Sequence, residues 1–352
     1  MRRRAREVAQ TLVSLITHYN NLPFYIVSHG DADGITAATI IGTTLHAHRI
    51  QPVLIFTNST EINELVYHGT IRPAMKNPGD EKNGIWIFTD TGSAAPNTME
   101  KFRKKIIIDH HPGGPGASGK WGISARTINN DSWTVQFFPE IVGVEAGACT
   151  AAFLTYIVAR NVMPRREHGP LAVIGSLGDR LLAKEFSISG VAREAVEEAA
   201  AADEISIKTD LVVPGKETLP LRELFIGMEQ MLQMNLGADF LNQMMRELKV
   251  KEKELEERRW IELLPKEKRR FLSWFAKKRL ANNQDPDTVL RMVGEVYHLK
   301  KHKPGCHLHD CAEFGKLLNE CGERGLYEDA YNLCLNQTEE HYREVLRKLY
   351  LL

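Results

Sequence analysis

Ile106-Ile107-Ile108-Asp109-His110-His111 is the stretch that decides the fold: an apolar run that ends in a carboxylate and two imidazoles. A strand that delivers those side chains at its C-terminal edge is built to hold a metal ion. Upstream, Tyr25-Ile26-Val27 runs into Ser28-His29-Gly30-Asp31-Ala32-Asp33-Gly34, and Ile85-Trp86-Ile87-Phe88 runs into Thr89-Asp90-Thr91-Gly92. Downstream, Val173-Ile174-Gly175-Ser176-Leu177 precedes Gly178-Asp179-Arg180. Apolar stretches that repeatedly end in an acidic or His-bearing turn are expected where ligands bind beyond the carboxyl ends of a parallel sheet.

Working outward, residues from about 24 to 180 alternate between strand and helix patterns. The strands fall at Phe24–Ser28, Pro52–Thr57, Gly84–Thr89 and Lys105–Asp109, with helices over Ile35–His48, Ala95–Arg103 and Ala146–Arg160. That alternation predicts an α/β fold with a parallel sheet. Gly34, followed by Ile35, Ala37, Ala38 and Ile41, lets the first acidic loop open directly into a helix, whose N-terminus favours ionised Asp31 and Asp33. Ahead of the sheet, Val8, Leu12, Leu15, Ile16 and Tyr19 recur at helical spacing and predict a docked first helix.

A helix over Ser189–Ala202 leads to Asp203–Pro220, which carries Pro214, Gly215 and Pro220 and is expected to be irregular. Leu221–Asn235, Ala238–Arg259, Lys266–Ala281 and Asp285–Glu295 then read as helices, with a methionine-rich apolar stripe ahead of the charged run Lys249–Arg259. From about Val296 a small α/β unit is expected. It has a helix over Cys311–Cys321 with Asp310 as N-cap and Gly322 as C-cap, and a last helix over Tyr342–Leu352. The expected organisation is thus three segments: 1–205 with the parallel sheet, 206–295 as a helical insertion, and 296–352.

At 352 residues the chain has room for more than one domain, and its 45 basic and 45 acidic residues leave no net charge. Overall electrostatics therefore do not point to nucleic acid; a basic surface would have to be local. Basic clusters lie at Arg2–Arg6, Lys101–Lys105, Arg165-Arg166, Lys266–Arg270, Lys277–Arg279 and Lys300–Lys303, and solvated helix faces account for most of them. No apolar run spans a bilayer. Five cysteines without a secretory signal predict reduced thiols in a cytoplasmic protein.

His29, Asp31, Asp33, Asp90, Asp109, His110 and Asp179 supply oxygen ligands and imidazole, a set that suits Mn²⁺, Mg²⁺ or Zn²⁺. They suffice for two ions if Asp90 bridges them, and a two-metal site can activate a water and neutralise a phosphoryl oxygen. Each motif alone has a plain alternative: Asp-x-Asp-Gly as a turn, Gly-Asp as a cap, Asp-His-His as a hydrogen-bonded loop. Their order along the chain makes the chance combination improbable.

His29-Gly30-Asp31-Ala32-Asp33-Gly34, Asp90, Asp109-His110-His111 and Gly178-Asp179 resemble the four successive motifs of the DHH phosphoesterase superfamily. The wording is most similar to archaeal RecJ-like exonucleases. Phe314-Gly315-Lys316-Leu317-Leu318-Asn319-Glu320-Cys321-Gly322 and Asn332–Asn336 resemble the substrate-binding second domain of that branch. The resemblance implies a two-metal phosphodiesterase, an exonuclease on single-stranded DNA or RNA in repair or replication, using Mn²⁺ first and Mg²⁺ as the alternative. It implies that His29, Asp31 and Asp90 hold one ion and Asp33, Asp90, His110 and Asp179 the other. Asp109 would orient a ligand without binding metal, and His111 would contact the scissile phosphate. The intact motifs argue against a catalytically dead replication-factor relative. The helical insertion resembles segments of helicase-associated members, which implies a helicase or repair partner or self-association. One departure stands out: the glycine-rich motif ending in His that many members carry is replaced by Gly322-Glu323-Arg324-Gly325, where Arg324 would supply the phosphate contact.

Weaker signals have two readings. Cys306-His307-Leu308-His309-Asp310-Cys311, with His302, could hold zinc, but fits no common module, and an ordinary strand is the favoured reading. Trp260, Trp274 and Phe275 could stack bases, although core packing is the better expectation. His111–Gly116 reads as a loop beside the metal site. Three alternatives to the exonuclease reading remain. One is a small-substrate hydrolase of the same superfamily, acting on oligoribonucleotides or phosphoadenosine phosphate. Another is an aspartyl-nucleophile phosphatase using Asp31, and the third a scaffold that keeps metal for stability alone.

Overall fold

The computed structural model describes residues 1–93, 96–111, 133–139, 142–144, 148–182, 188–281 and 292–350. The chain divides into two compact units. Met1–Asp179, Ile188–Ala202 and Leu318–Leu352 make the first, and Arg180–Ser187 with Asp203–Leu317 the second. The expected segment from Val296 is thus shared between them.

In the first unit, β1 (Phe24–His29), β2 (Val53–Thr57), β3 (Ile85–Thr89), β4 (Lys104–Ile108) and β5 (Trp133–Phe137) form one sheet in the order β2-β1-β3-β4-β5, parallel throughout. The four predicted strands are present, within a residue of their expected bounds; β5 is an addition. This order places the topological switch point between β1 and β3, where their carboxyl ends leave a crevice. Side chains alternate across the sheet. Tyr25, Val27, Ile55, Trp86, Phe88 and Ile107 meet Tyr67, Ile71, Met99 and Phe102 on one face. Phe24, Ile26, Ile85, Ile87, Ile106 and Ile108 therefore point to the other. The helices against that face are α2 (Ala32–Ala47) and α3 (Ala151–Val162), which approach each other through Ala37, Ala151 and Ala152. The first helix, α1 (Arg2–His18), docks on α3 and β5, burying Val8, Leu12, Leu15 and Ile16 as the sequence predicts. Its Arg4 donates to the carbonyl of Gln136 on β5 at 3.0 and 2.8 Å.

The fourth motif is a correction. Val173–Leu177 does not end in a turn at a sheet edge. It lies inside α4 (His168–Leu182), and Asp179 is a helical residue. Leu171 to Leu177 are all buried, so no polar face marks the helical period and the run cannot be told from a buried strand. Helix α5 (Arg193–Ala201) follows a short 3-10 turn at Gly190–Ala192.

In the second unit, the stretch expected to be irregular contains β6 (Ile205–Leu211), antiparallel to β7 (Val293–Leu299). The predicted helix over Asp285–Glu295 ends in that strand, and residues 285–291 lie outside the described residues. Helix α6 spans Leu221–Met231. The single long helix expected over Ala238–Arg259 is instead α7 (Phe240–Leu248) and α8 (Glu252–Glu257), broken at Lys249, whose φ of 49° reverses the chain. The break lets Val250 and Leu255 join Leu224, Phe225, Met228 and Met244 in one core, together with Trp260, Phe271, Trp274 and Phe275. The three aromatics named as base-stacking candidates are therefore core residues. Trp260 and Trp274 come to the rim of that core with their indole N–H groups on Asp210 and Glu247, both at 2.8 Å. Helix α9 (Pro265–Ala281) carries two of the basic clusters, and its Lys268 and Lys278 pair with Asp210 and Glu247, each at 2.6 Å.

Helix α10 (Cys311–Glu323) begins in the second unit and ends in the first. Asp310 accepts from the Ala312 and Glu313 amides at 2.9 and 3.0 Å, which is the predicted N-cap. Gly322 is not a cap, since the helix runs through it. Cys306–His309 form turns rather than a strand. Helices α11 (Tyr327–Asn336) and α12 (Glu339–Tyr350) complete the first unit. Among the described residues no helix is long and apolar enough to cross a membrane.

Candidate metal centre

The carboxyl ends of β1, β3 and β4 bring the motif residues together. His29 closes β1, and Asp31 caps α2, its carboxylate accepting from Gly34 N at 2.9 Å. Position 34 admits only glycine: a Cβ there would lie 2.2 Å from the carbonyl oxygen of His29. Asp33, in the first turn of α2, is fully buried. Its oxygens accept from Ala151 N at 2.7 Å and Ala152 N at 2.8 Å, the leading amides of α3 that have no partner within that helix. Asp90 follows β3 with φ 58° and is tied by its amide to the Ile108 carbonyl of β4 at 2.9 Å.

Asp90 lies between the imidazoles. Its Oδ2 is 3.5 Å from His29 Nδ1, while its Oδ1 is 3.2 Å from His110 Nε2 and 3.6 Å from His111 Nδ1. His29 Nδ1 is also 3.0 Å from Asp31. His110 Nε2 is 3.5 Å from Asp33 and 3.9 Å from Asp179, so the helical position of Asp179 still brings it to the site. Two triads could each hold an ion, His29-Asp31-Asp90 and Asp90-His110-His111.

Asp109 is engaged elsewhere. One oxygen accepts from Ser93 N at 2.9 Å. The other accepts from His110 N at 2.8 Å, from His111 N at 3.1 Å and from His111 Nδ1 at 2.8 Å. With those bonds it locks the turn that aims both imidazoles.

Asn319 of α10 is a residue that the sequence analysis did not single out. It accepts from Ala32 N at 2.8 Å and donates to the Gly178 carbonyl at 3.1 Å, linking the first and fourth motifs. The signal available for it was its place inside the Phe314–Gly322 stretch. For the α3 amides on Asp33 it was Thr150 as an N-cap before small residues. Around the site, Tyr327 stacks on Phe56 at 5.5 Å and bonds to Asn58. Arg324 is exposed in the turn after α10. Pro112–Gly116 of the predicted loop lie outside the described residues.

The electrostatics are those of a cation site. Burial disfavours a charged His29, but Asp31 and Asp90 outweigh it and hold the imidazolium up to about 11. His110 is likewise raised, burial being overcome by Asp90 and Asp33. Burial and the neighbouring Asp90 carboxylate push Asp31 and Asp33 up, and burial does the same to Asp179. Burial also works against Asp90, yet His110 and His29 keep it well below the carboxylate range. Positive charge is thus retained where the carboxylates converge, and a divalent ion would displace those protons. The fit is also geometric: His29 Nδ1, both Asp90 oxygens and His110 Nε2 are buried without a hydrogen-bond partner, and unmet buried groups of that kind are rare without a ligand.

Residues 23–175 match the DHH family, N-terminal domain. CDC45 from Entamoeba histolytica shares the fold at a TM-score of 0.69 and 10% identity, over 97% of this chain and 70% of that one. Exonuclease RecJ bound to manganese aligns at 0.47 and 13% identity, over 99% of this chain and 64% of that one. RecJ from Thermus thermophilus in complex with Mn²⁺ aligns at 0.48 and 14%, over 99% of this chain and 37% of that one. The chain therefore spans less than two thirds of either RecJ. No curated protein matches it.

Proposed function

We propose that this chain is a divalent-metal-dependent phosphodiesterase, a RecJ-like exonuclease that acts on single-stranded DNA or RNA in repair or replication. One observation carries the reading: the unpartnered donors of His29, Asp90 and His110 converge at the switch point of a DHH domain. His29, Asp31 and Asp90 would hold one ion and Asp33, Asp90, His110 and Asp179 the other, Mn²⁺ first and Mg²⁺ as the alternative. Such ions, when bound, make water a nucleophile at neutral pH and offset charge on a phosphoryl oxygen. The remaining work falls to the chain. Asp109 fixes the His111 ring through Nδ1 and, against burial, favours its imidazolium form, whose Nε2–H would donate to a phosphoryl oxygen. Asn319 would position the start of α2 against α4 at Gly178, and Arg324 would meet a substrate phosphate.

In this reading segment 1–205 is catalytic, 296–352 binds substrate and 206–295 recruits a helicase or repair partner or a second copy, in the cytoplasm of an archaeal cell. End-labelled single-stranded DNA and RNA with Mn²⁺ test it. Mononucleotide release by the wild type, lost in His110→Ala and in Asp109→Ala, is the expected result. Cleavage of dinucleotides alone would replace it with a small-nucleotide hydrolase, and no turnover of either would leave a metal-stabilised scaffold.

A further inference from the structure

The second unit holds a different cluster of ligand-type side chains. Glu217 comes from the loop between β6 and α6, His298 from β7, and His309 from the turn before α10. Their donor atoms lie within 4.8 Å of one another. His309 Nδ1 is 2.9 Å from Glu217 Oε1, and His298 Nε2 is 3.7 Å from the same oxygen and 3.5 Å from Asp310 Oδ2. Donors held at about 2.0–2.1 Å around a tetrahedral ion stand about 3.3 Å apart, and these separations bracket that spacing.

The decisive residue is His298. It is 5% exposed, and neither ring nitrogen has a hydrogen-bond partner. An imidazole left unpaired in a buried site is costly, yet it faces two carboxylates. The remaining bonds hold the other members in place. Glu217 accepts through Oε2 from Gly305 N at 2.7 Å. Asp310 accepts from Lys216 Nζ at 2.5 Å, and Glu313 accepts from Glu217 N and Thr218 Oγ1 at 2.7 and 2.8 Å. The His298 and His309 rings are stacked at 4.5 Å.

We infer that Glu217 Oε1, His298 Nε2 and His309 Nδ1 form a zinc-class metal site; Asp310 Oδ2, 3.5 Å from His298 Nε2 and also accepting from Lys216 Nζ at 2.5 Å, is the candidate for the fourth position. Two imidazoles with carboxylate oxygens are ligands of zinc type, and full burial of all four residues marks a closed, structural site rather than a catalytic one. The ion would tie β7, the β6–α6 loop and the start of α10 to a single point. The sequence pointed to this neighbourhood through Cys306–Cys311 and His302. Of those candidates the geometry selects His309 and its neighbour Asp310, with Glu217 and His298 distant in the chain.

The test uses the full chain carrying Asp90→Ala and His110→Ala, which disables the centre in the DHH domain. The protein is stripped with chelator, loaded with Zn²⁺, desalted, and its metal counted by mass spectrometry. About one zinc per chain is expected, as is the visible absorption of four-coordinate cobalt when Co²⁺ replaces zinc. Adding Glu217→Gln, close in shape, or His298→Ala should remove both signals. No retained zinc in the double variant would overturn the site, and so would retained zinc that survives Glu217→Gln and His298→Ala. Because the parent protein keeps the cluster intact, a misfolded His298→Ala chain would still leave the first arm decisive.

Discussion

Asp90 sits at φ 58°, a left-handed conformation that aspartate and asparagine tolerate and most larger side chains do not. The strain is placed where it turns both carboxylate oxygens toward different imidazoles. Asp90→Asn keeps the conformation and removes the charge. Its Mn²⁺ affinity, read by calorimetry, should fall by more than the roughly 10–100-fold expected when a supporting residue is lost. Asn319→Ala should fall within that smaller range, because it loosens the hold on the start of α2 at Ala32 and on α4 at Gly178 without removing a donor. Equal losses in the two variants would deny Asp90 its central place. Lys105 offers a separate test, of stability. It is buried on β4 with Nζ on the Phe102 carbonyl at 2.9 Å, and burial lowers its ammonium to about 8 from 10.5. The folded state thus binds the proton more weakly than the unfolded chain, so stability rises as pH goes from about 8 to 10.5, and below pH 8 the whole cost remains. Lys105→Met should therefore stabilise the protein at pH 7 by about 2–3 kcal/mol, given about 1.4 kcal/mol per pKa unit less one hydrogen bond. In urea melts, that gap should close as pH approaches 10.5.

At the scale of elements, α10 reaches the candidate metal centre by backbone proximity. A Cβ on Gly322 would stand 1.8 Å from the carbonyl oxygen of Gly30, so only glycine lets the helix lie against the loop after β1. Gly322→Ala should cost about 1–3 kcal/mol by overpacking and lower Mn²⁺ affinity as well, since Asn319 rides on the same helix; urea midpoints and calorimetry check the two effects separately. Gly322 was legible in the sequence as a helix-end glycine, but its tertiary role was not, because Gly30 is far away in the chain. The same division holds elsewhere. β1, β3 and β4 end in polar turns, so their strands and most residues of the candidate centre could be read directly. Asp179 comes within 3.9 Å of His110 from a helix and not from the turn its sequence suggests, because the stretch of α4 before it is buried on every side. β6 was missed because its middle is exposed and its partner β7 lies some eighty residues on. The break at Lys249 could not be foreseen either: a lysine in the left-handed conformation carries no local signal, and what favours it is burial of Val250.

For the whole molecule, the two donor clusters belong to different compact units: His29, Asp90 and His110 to the first, Glu217, His298 and His309 to the second. A ligand that binds only folded protein stabilises it by about 2.7 kcal/mol at a hundredfold excess over its dissociation constant, and for units of this size each kcal/mol raises the melting temperature by roughly 2–4 °C. If each cluster binds its own ion, the responses separate by variant. In Asp90→Asn, Mn²⁺ should lose its effect on the melting curve while Zn²⁺ still raises it by several degrees. In Glu217→Gln, Mn²⁺ should still act, and the zinc response that survives in Asp90→Asn should be missing from the double variant. A single cluster serving both ions would instead abolish both shifts with Asp90→Asn alone. Differential scanning calorimetry of these variants, each with and without the two ions, distinguishes one metal centre from two without reference to any enzymatic substrate.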